Sequence, residues 1–537
     1  MPQRHPLTSG RYTRESRKGR SGADGSLLLI AGETGFGFDR GEVRSVHVAW
    51  SGNQSMSAER SVLNGAVLAA GELLLPGEVI LQAGESYSSP WIYAAWGDGL
   101  DDMAARFHAE LRADRPHGGP RAALLNVWEA VYFDHQVEPL KRLADRAAEA
   151  GLELYVLDDG WFLGRRDDRR ALGDWFVDPD VWPDGLTPLI EHVCARGLRF
   201  GIWVEPEMVS VDSRLAREHP EWILRPGRRL PPVAKWQHVL NVAHPEVFDY
   251  LHERLDWLLA NHDISYLKWD HNRDVLEPGD AEGRARLHDH VTAVYRLIDT
   301  LRTKHPAVEF ENCASGGSRI DLELLARTHR TWVSDCTDPL ERARIQQYTG
   351  LLLPLEMMGN DIAAARSHLT GRNSQLDLRG TVALLGWLGV QWDLNRVPDE
   401  DRALLRGWVE LYRQVRQLLH SGRALTLTSP DPSVLLRAVV SKDQQEALIT
   451  VVQLTSSFAP SAGRLRLPGL LADELYDVRV VTPGVQAPRS MAYSPSNWVK
   501  DGTRLSGRML AQAGLELPLL DPEQGMVIAV TRPGSER

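Results

Sequence analysis

A cluster of charged and polar side chains occupies one short segment, Lys268-Trp269-Asp270-His271-Asn272-Arg273. The largely apolar stretch 264–267 precedes it and predicts a short buried strand. Burying so many charges at a strand end costs several kcal/mol unless they are paired or bind a ligand. An ion pair between Lys268 and Asp270 would explain two of them. It would not explain why similar strand endings recur along the chain.

The middle of the chain alternates apolar strand patterns with amphipathic helical patterns. We predict strands at residues 123–129, 154–159, 199–205, 264–270, 308–313, 331–335, 351–357 and 384–393. Eight such units in about 300 residues predict a (β/α)₈ barrel, placed at residues 119–422. Chemistry in such a barrel takes place at the C-terminal ends of the strands. Those ends carry Glu129, Asp158, Asp159, Glu205, Glu207, Lys268, Asp270, Glu311, Asn312, Cys313, Asp335 and Asp393.

The two flanking regions show short alternating patterns that are typical of antiparallel sheets. In residues 1–118 we predict strands at 43–50, 66–75, 79–82 and 91–96, then a helix at 100–113 and a linker at 114–120. In residues 423–537 we predict strands at 433–440, 446–454, 474–481 and 526–531. The predicted fold class is therefore multidomain, with a central TIM barrel between an N-terminal and a C-terminal antiparallel β-domain.

Composition excludes several classes of partner. The 537 residues are too many for one core. A net charge of −11 without strong clustering argues against nucleic acid and anionic membrane as partners. No apolar run approaches the roughly 18 residues of a membrane span. Three cysteines form no disulfide framework, so we expect a reducing cytoplasm. Seventeen tryptophans suit either a sugar cleft or an apolar core.

A rim rich in carboxylates, tryptophan, lysine and asparagine favours a neutral polyhydroxylated ligand, because carboxylates accept hydrogen bonds from hydroxyls. Metal binding is the competing use. His288-Asp289-His290 lies in a helical pattern where i and i+2 face different ways, and we interpret it as solvated surface. Carboxylate-held Mg²⁺ stays open, although no glycine-rich phosphate loop follows a strand. We expect neither a metal nor a cofactor.

Two carboxylates on one rim are what glycoside hydrolysis requires. Asp270 is the preferred nucleophile, because Lys268 lies two residues earlier on the same side of the strand and would keep it ionised. Asp335 is the preferred acid/base, since a less solvated site would raise its pKa. Asp338 is its rival, but Asp338-Pro339 is typical of a helix N-cap.

The turn Cys313-Ala314-Ser315-Gly316-Gly317 has two readings at this stage. Its glycines would allow a close approach of the backbone to a ligand, and they would equally suit a plain tight turn.

Six segments together resemble the α-galactosidases of glycoside hydrolase family 36. They are Leu157-Asp158-Asp159-Gly160-Trp161-Phe162, Leu172-Gly173-Asp174-Trp175, Trp203-Val204-Glu205-Pro206-Glu207-Met208-Val209, Tyr266-Leu267-Lys268-Trp269-Asp270 with Asn272-Arg273, Glu311-Asn312-Cys313 and Trp332-Val333-Ser334-Asp335. The resemblance runs in order from about Gly10 to the end of the chain. It implies an N-terminal β-sandwich, a catalytic barrel and a C-terminal β-domain.

The resemblance also implies roles and a substrate. A retaining double displacement would use Asp270 as nucleophile and Asp335 as acid/base, on terminal non-reducing α-galactosyl groups of melibiose or raffinose type. The galactose site would be formed by Asp158, Asp159, Lys268, Asn272, Cys313 and Gly316, with Trp128 or Trp203 as the stacking tryptophan. Transfer of galactose to another sugar, as in raffinose synthases, would use the same pair of aspartates. A sugar-binding protein without turnover ranks last, because both carboxylates are present.

Three features depart from the family pattern. Compared with longer members, we expect a shortened N-terminal domain, as though the chain began halfway through their sandwich, near Gly10-Arg11-Tyr12. Those members are often tetramers, so a homo-oligomer is one expectation. Cys336 stands where Asn is usual, and His271 stands where Met is common.

Overall fold

The computed structural model describes residues 2–22, 27–63, 65–113, 119–457, 459, 461–484 and 497–534. Residues 114–118 of the predicted linker lie outside this described part. The predicted domain boundaries near 118 and 422 therefore stay predictions.

The N-terminal region forms two antiparallel sheets, each three-stranded in the described residues, with strand orders β1-β4-β5 and β2-β3-β6. The strands are β1 (Gly10–Ser16), β2 (Leu29–Gly32), β3 (Glu42–Val48), β4 (Gln54–Ser61), β5 (Gly65–Glu72) and β6 (Ile92–Asp98). Helix α1 (Leu100–Ala113) follows and confirms the predicted helix. The strand predicted at 79–82 is wrong, because a turn and bends carry Ile80 and Leu81 into solvent, where they are 63% and 52% exposed.

The central region is a closed barrel of parallel strands. Its strands are β7 (Leu124–Asn126), β8 (Leu154–Leu157), β9 (Arg199–Val204), β12 (Tyr266–Trp269), β13 (Glu309–Asn312), β14 (Arg330–Thr331), β15 (Gly359–Ala363) and β16 (Trp387–Gln391), with β10 (Met208–Ser210) and β11 (Gln237–Val239) forming a separate antiparallel pair. β7 pairs with both β8 and β16, and a parallel bridge from Thr331 to Met358 closes the remaining gap.

Helices surround the strands on the outside. They are α2 (Trp128–Val131), α3 (Val137–Glu149), α4 (Thr187–Ala195), α5 (Arg214–Glu218), α6 (Pro245–Asn261), α7 (Leu287–Lys304), α8 (Leu322–Leu325), α9 (Pro339–Thr349), α10 (Leu376–Ala383) and α11 (Asp399–Ser421), with 3₁₀ turns at Pro220–Trp222 and Leu355–Met357. The amphipathic patterns bury an apolar stripe on α3 (Leu140, Leu143, Ala144 and Ala147) and one on α6 (Val247, Leu251, Leu255 and Leu258), and Pro245 opens α6 at the favoured first-turn position. No helix in the described ranges is long and apolar enough to cross a bilayer.

Strand alternation decides which side chains enter the barrel. On β12, Tyr266 packs in a small interior cluster with Leu124 and Val156, whereas Leu267 and Trp269 belong to the larger core under the helices. Because side chains two apart share a face, Lys268 and Asp270 follow Tyr266 into the interior at its C-terminal end. The predicted shared side of Lys268 and Asp270 is thereby explained.

Two sequence interpretations are corrected in this region. The seventh barrel strand is β15, and not the predicted 351–357, where Pro354 interrupts the apolar run and a 3₁₀ turn forms. His290 is not solvated surface, since it is 1% exposed and its Nε2 lies 3.6 Å from a Glu207 oxygen. Its neighbour His288 does face another way, and its Nδ1 lies 2.9 Å from Glu72.

The C-terminal region is antiparallel, and its four predicted strands are confirmed as β18, β19, β21 and β24. In the described residues a six-stranded sheet has the order β17-β18-β19-β24-β21-β22, and β20 pairs with β23. The elements are β17 (Arg423–Leu427), β18 (Val434–Val440), β19 (Glu446–Gln453), β20 (Arg464–Leu465), β21 (Leu475–Val480), α12 (Trp498–Asp501), β22 (Thr503–Ser506), α13 (Gly507–Gln512), β23 (Leu515–Glu516) and β24 (Gln524–Thr531).

Candidate active site

Asp270 sits just beyond β12 and is surrounded by hydrogen-bond donors. Its Oδ1 accepts from the His271 amide at 2.8 Å and from the Ser315 amide at 3.3 Å. Its Oδ2 accepts from Asn272 Nδ2 at 2.7 Å and from Trp203 Nε1 at 3.1 Å. Burial opposes ionisation, but the Lys268 charge and these donors outweigh it and lower the Asp270 pKa. The carboxyl group is therefore held as a carboxylate in a fixed orientation.

Lys268 joins β12 to the end of β8. Its Nζ donates to Asp158 Oδ2 at 2.8 Å, and Asn126 Nδ2 donates to the same oxygen at 2.6 Å. Burial opposes the Lys268 charge, but the carboxylates around it, Asp158 foremost, raise its pKa well above the usual value. Lys268 is therefore paired directly with Asp158, and it acts on Asp270 through its charge instead of forming the ion pair that the sequence suggested.

Asp159 is held separately by Arg165. The guanidinium donates to both carboxylate oxygens, with Nε 3.0 Å from Oδ1 and Nη2 2.8 Å from Oδ2. Both side chains are nearly fully buried. Such a bidentate pair fixes the plane of the carboxylate.

Asp335 has a different environment from Asp270. The residue is exposed at the rim, and its Oδ1 accepts one bond from Trp332 Nε1 at 3.1 Å. The protein around its carboxyl group reduces its hydration, and this, together with the Asp270 charge, raises the Asp335 pKa. A carboxyl group of raised pKa beside a carboxylate is the division of labour that acid/base catalysis uses.

Asp338, the rival to Asp335, has a structural role. It is the N-cap of α9 and its Oδ1 accepts from the Leu340 amide at 3.0 Å. Its Oδ2 accepts from Arg372 Nε at 2.9 Å, and its side chain is fully buried. These contacts occupy both oxygens and support the choice of Asp335.

The two candidate stacking tryptophans differ. Trp203 is 2% exposed, lies parallel to Phe162 with ring centroids 6.5 Å apart, and donates to Asp270. Trp128 opens α2, is half-buried, and meets the rings of Tyr132 and Phe133 edge-on at 5.0 and 5.2 Å. Trp128 is therefore the better placed of the two to offer an indole face to a ligand.

The turn 313–317 packs against the chain that carries Asp335. A Cβ on Gly316 would lie 2.6 Å from the Asp335 amide nitrogen, and Gly316 has a φ of +79°. The close backbone approach is therefore made to Asp335 itself. Cys313, 2% exposed, directs its thiol to Asp270, and the Ser315 amide donates to the same carboxylate.

Asn272 connects Asp270 to a second carboxylate. Its Nδ2 lies between Asp270 Oδ2 and Glu205 Oε2, at 2.7 and 3.1 Å, and its Oδ1 accepts from Ser315 Oγ at 3.0 Å. Burial and the Asp270 charge raise the Glu205 pKa to about 8. Glu205 therefore carries a proton at neutral pH, which limits the negative charge near Asp270.

Further acids line the interior below the rim. Burial raises the pKa of Glu129 and Glu311 to about 7 and that of Asp361 to about 6. Asp361 Oδ2 accepts from Gln391 Nε2 at 2.7 Å, whereas its buried Oδ1 has no hydrogen-bond partner among the described residues. Asp361 was not predicted because its strand, β15, was placed at 351–357, whereas Gln391 lies in the strand predicted at 384–393 but was not identified as a site residue. Strand alternation would have placed both inside the barrel.

A positively charged residue on a loop was also not predicted from the sequence. Lys235 is exposed on the loop before β11, and its Nζ donates to Ser315 Oγ at 3.1 Å. Its charge acts to lower the Asp335 pKa. Trp236 follows it with 52% exposure, and both residues have positive φ values of 49° and 60°. Nothing in the local pattern signals that this loop reaches the rim.

Glu207, by contrast, belongs to a buried ion pair behind the site. It accepts from Trp269 Nε1 at 2.8 Å and from Arg319 Nη1 at 2.9 Å, and His271 Nε2 lies 3.8 Å from it. Burial opposes its ionisation, but Arg319 and the nearby histidines outweigh that effect and lower its pKa. His271 therefore faces Glu207 rather than a ligand.

The arrangement as a whole is that of a barrel enzyme acting on a glycosidic bond. An ionised and a protonation-prone aspartate stand on one rim among polar groups suited to hydroxyls. Within the described ranges, no group of three or more His, Cys, Asp or Glu side chains is arranged to hold a metal ion.

Comparison with known proteins defines the family. Residues 86–422 match the melibiase family, residues 1–82 the N-terminal domain of glycosyl hydrolase family 36, and residues 436–530 its C-terminal domain. An α-galactosidase of Escherichia coli is 42% identical over 541 residues, which cover 99% of this chain and 76% of that protein. The α-galactosidase AgaA of Geobacillus stearothermophilus is 35% identical over 89% of this chain and 67% of its own.

Solved structures of α-galactosidases from the same family also match this chain. An AgaA variant in complex with raffinose superposes with a TM-score of 0.90 at 32% identity, covering 99% of this chain and 73% of that one. A variant in complex with 1-deoxygalactonojirimycin gives 0.89 at 33% identity over the same shares. The chain belongs to glycoside hydrolase family 36, whose relatives above are α-galactosidases. The resemblance, the enzyme class and the three-part fold are thereby confirmed.

Proposed function

We propose that the protein is a retaining, exo-acting α-galactosidase that hydrolyses terminal α-D-galactosyl groups of small galactosides. The observation that carries the proposal is the opposite titration of two aspartates on one rim, with the pKa of Asp270 lowered and that of Asp335 raised. The assignment of galactose as the sugar is based on the relatives, which are α-galactosidases. The assignment of the substrate type is based on AgaA variants in complex with raffinose and stachyose.

In the first step, a carboxylate oxygen of Asp270 attacks the anomeric carbon while Asp335 gives its proton to the glycosidic oxygen. The bond to the leaving sugar breaks, and a covalent galactosyl-aspartate forms. The amides of His271 and Ser315 and the side chains of Asn272 and Trp203 hold Asp270 for this attack. Little reorientation is then needed in the transition state.

In the second step, Asp335 has lost its proton and acts as general base towards water. Water attacks the anomeric carbon from the face that the leaving sugar vacated, and the Asp270 carboxylate is released. Two inversions give net retention, so α-galactose is the first product. The charge on Asp270 is absent in the intermediate, which lowers the pKa of Asp335 and favours its role as base.

The polar groups around these aspartates would hold the galactosyl group. Asp158 and Asp159 lie together after β8, each fixed by a cation, Lys268 and Arg165 respectively. Their fixed lone pairs suit two neighbouring hydroxyls.

Proton NMR of the reaction with an α-galactoside tests the proposal. We expect α-galactose to appear before its mutarotated form, and melibiose or raffinose to be cleaved. Initial β-galactose would overturn the retaining mechanism, and cleavage of other α-glycosides alone would overturn the sugar assignment. Added raffinose or sucrose in the same assay reports galactosyl transfer. If galactosyl transfer is faster than hydrolysis, the protein is to be assigned as a galactosyltransferase and not as a hydrolase.

A further inference from the structure

A short segment of the N-terminal domain crosses the barrel rim beside Asp270. It comprises residues 16–22, beginning at the last residue of β1, and is called the strap below. Its Arg20 is 7% exposed, although arginines are rarely buried unless they are paired. The preceding Arg17 is exposed and pairs with Glu15 at 2.9 Å. The strap therefore has one buried and one surface arginine within four residues.

Arg20 binds the loop that follows the Asp270 strand. Its Nε donates to Asp274 Oδ1 at 2.8 Å, and its Nη1 donates to the carbonyl of His271 at 2.7 Å. The loop also donates a backbone hydrogen bond to the strap, from the Val275 amide to the Lys18 carbonyl at 2.8 Å. The strap thus holds this loop at both of its ends.

The strap and the loop pack so closely at Gly19 that no side chain fits between them. A Cβ on Gly19 would lie 2.3 Å from the Cβ of Val275, and Gly19 has a φ of +69°. Glycine is therefore required there by both space and backbone conformation. The Gly19 amide donates to Asn53 Oδ1 at 2.7 Å, which ties the strap to its own domain.

The strap also binds the second loop that contacts Asp270. Ser21 Oγ and the Gly22 amide both donate to the Ser318 carbonyl, at 2.9 and 2.7 Å. Ser318 follows the turn whose Ser315 amide donates to Asp270. Seven residues of the N-terminal domain therefore bridge the two loops that orient one carboxylate.

We propose that the strap sets the orientation of Asp270, with Arg20 as its positioning residue. Arg20 fixes the His271 carbonyl and Asp274, and thereby the His271 amide and Asn272, which bond the Asp270 oxygens. This proposal rests on the proposed role of Asp270 as nucleophile. The N-terminal domain is then part of the catalytic apparatus, since it aligns a group that lies on the barrel.

The consequence is specific to attack on the anomeric carbon. Of the groups expected to hold galactose, Asp158, Asp159 and Lys268 bond partners other than the strap, whereas Asn272 lies on the loop that Arg20 binds. Loss of Arg20 should therefore lower kcat and leave sugar binding nearly unchanged. Since a misplacement of about 1 Å costs on the order of 100-fold, we expect a fall in kcat of about 10- to 100-fold.

The test compares Arg20→Met with Arg17→Met and Arg20→Lys. For Arg20→Met we expect the stated loss in kcat, a galactose inhibition constant within about twofold of wild type, and equal losses on aryl galactosides of good and poor leaving group. Arg17→Met should behave as wild type. Arg20→Lys should recover part of the loss, because an ammonium group keeps one of the two bonds.

A folded Arg20→Met enzyme with wild-type kcat would overturn the proposal. So would an equal loss of galactose binding and kcat, which would indicate general support of the site. If Arg20→Met does not fold, Asp274→Ala takes its place. It removes one of the two bonds that Arg20 makes to the loop, so we expect a smaller loss in kcat, of a few-fold, with galactose inhibition unchanged, and a wild-type kcat would overturn the proposal. Retained activity in Asp270→Asn would instead refute the nucleophile itself, whatever Arg20 does.

Discussion

Glu309 and Glu311 lie two residues apart on β13 and face the same barrel interior, yet they titrate in opposite directions. Glu309 is at the N-terminal end, where Arg330 donates to both its oxygens at 2.7 and 2.9 Å and Arg121 donates at 3.1 Å. Burial opposes its ionisation, but these cations lower its pKa to about 2. Glu311 is one layer higher, where burial prevails over the Lys268 charge and raises its pKa to about 7.

The difference separates the two ends of the barrel. At the N-terminal end each buried charge meets an opposite charge, which fixes the structure. Towards the C-terminal end burial prevails for several acids, and it raises the pKa of Glu129, Glu311 and Asp361 towards neutral pH. Tyr266 connects the layers, with the Arg330 guanidinium 5.1 Å from its ring and its hydroxyl donating to Glu311 at 2.5 Å.

The largest effect is expected from Asp270→Asn at the C-terminal end. An amide cannot form the glycosyl ester, so kcat/KM should fall by about 10⁴-fold or more while the melting temperature stays near that of wild type. Steady-state kinetics on an aryl α-galactoside measure the loss. Asp249→Asn, an exposed aspartate on α6, is the matched control and should keep full activity.

Asp335→Ala should give a loss that depends on the leaving group. Good aryl leaving groups need little protonation, so kcat/KM should fall by less than about tenfold for them and by about 10³-fold for a sugar leaving group. Rates on dinitrophenyl galactoside and on melibiose provide the comparison. Equal losses on both would contradict the acid/base role.

Substitution of the two glutamates tests the contrast directly. Glu309→Gln leaves two buried arginines without their counter-charge and should destabilise the fold by about 3–5 kcal/mol at pH 7. Glu311→Gln replaces a carboxyl group whose ionisation the fold disfavours by a neutral group, and should leave stability at pH 7 unchanged or raise it by up to about 3 kcal/mol. Urea unfolding of both variants measures the difference. Similar losses would show that the two ends of the barrel do not differ in this way.

The smallest effect concerns stability against pH. The pKa of Glu205 is raised to about 8 in the folded protein. Between the ordinary pKa of a glutamate and pH 8, the folded protein therefore binds more protons than the unfolded chain. The contribution of Glu205 therefore falls as pH rises to 8, and Glu205→Gln should reduce that fall by on the order of 2 kcal/mol. Glu253→Gln, at a side chain that is 75% exposed, is the control. An unchanged slope in Glu205→Gln would contradict the raised pKa.

Local patterns predicted the parts of this site that depend on period and turn chemistry. The two-residue period placed Lys268 and Asp270 on one side of β12, and the Asp338-Pro339 pair identified an N-cap. The predicted position of the seventh strand is wrong because 351–357 is the more apolar run, whereas the observed strand β15, Gly359–Ala363, contains an asparagine and an aspartate. Its pairing with Trp387–Gln391 is set by barrel closure, which no local window contains.

Contacts between distant segments were equally beyond prediction. His290 is buried on α7, and Glu207, 83 positions away in the sequence, lies 3.6 Å from it. Arg20 is paired with a loop that is separated from it by 251 positions. The roles of the site residues, the oligomeric state and the cytoplasmic location stay predictions.

Azide rescue of Asp270→Gly tests the central claim most directly. The wild type should hydrolyse an aryl α-galactoside, and the glycine variant should be inactive because it lacks the nucleophile. Azide should restore turnover by entering the space that the carboxylate occupied, and its product should be β-galactosyl azide. A rescued product of α configuration, or an Asp270→Gly enzyme that is active without azide, would contradict Asp270 as the retaining nucleophile.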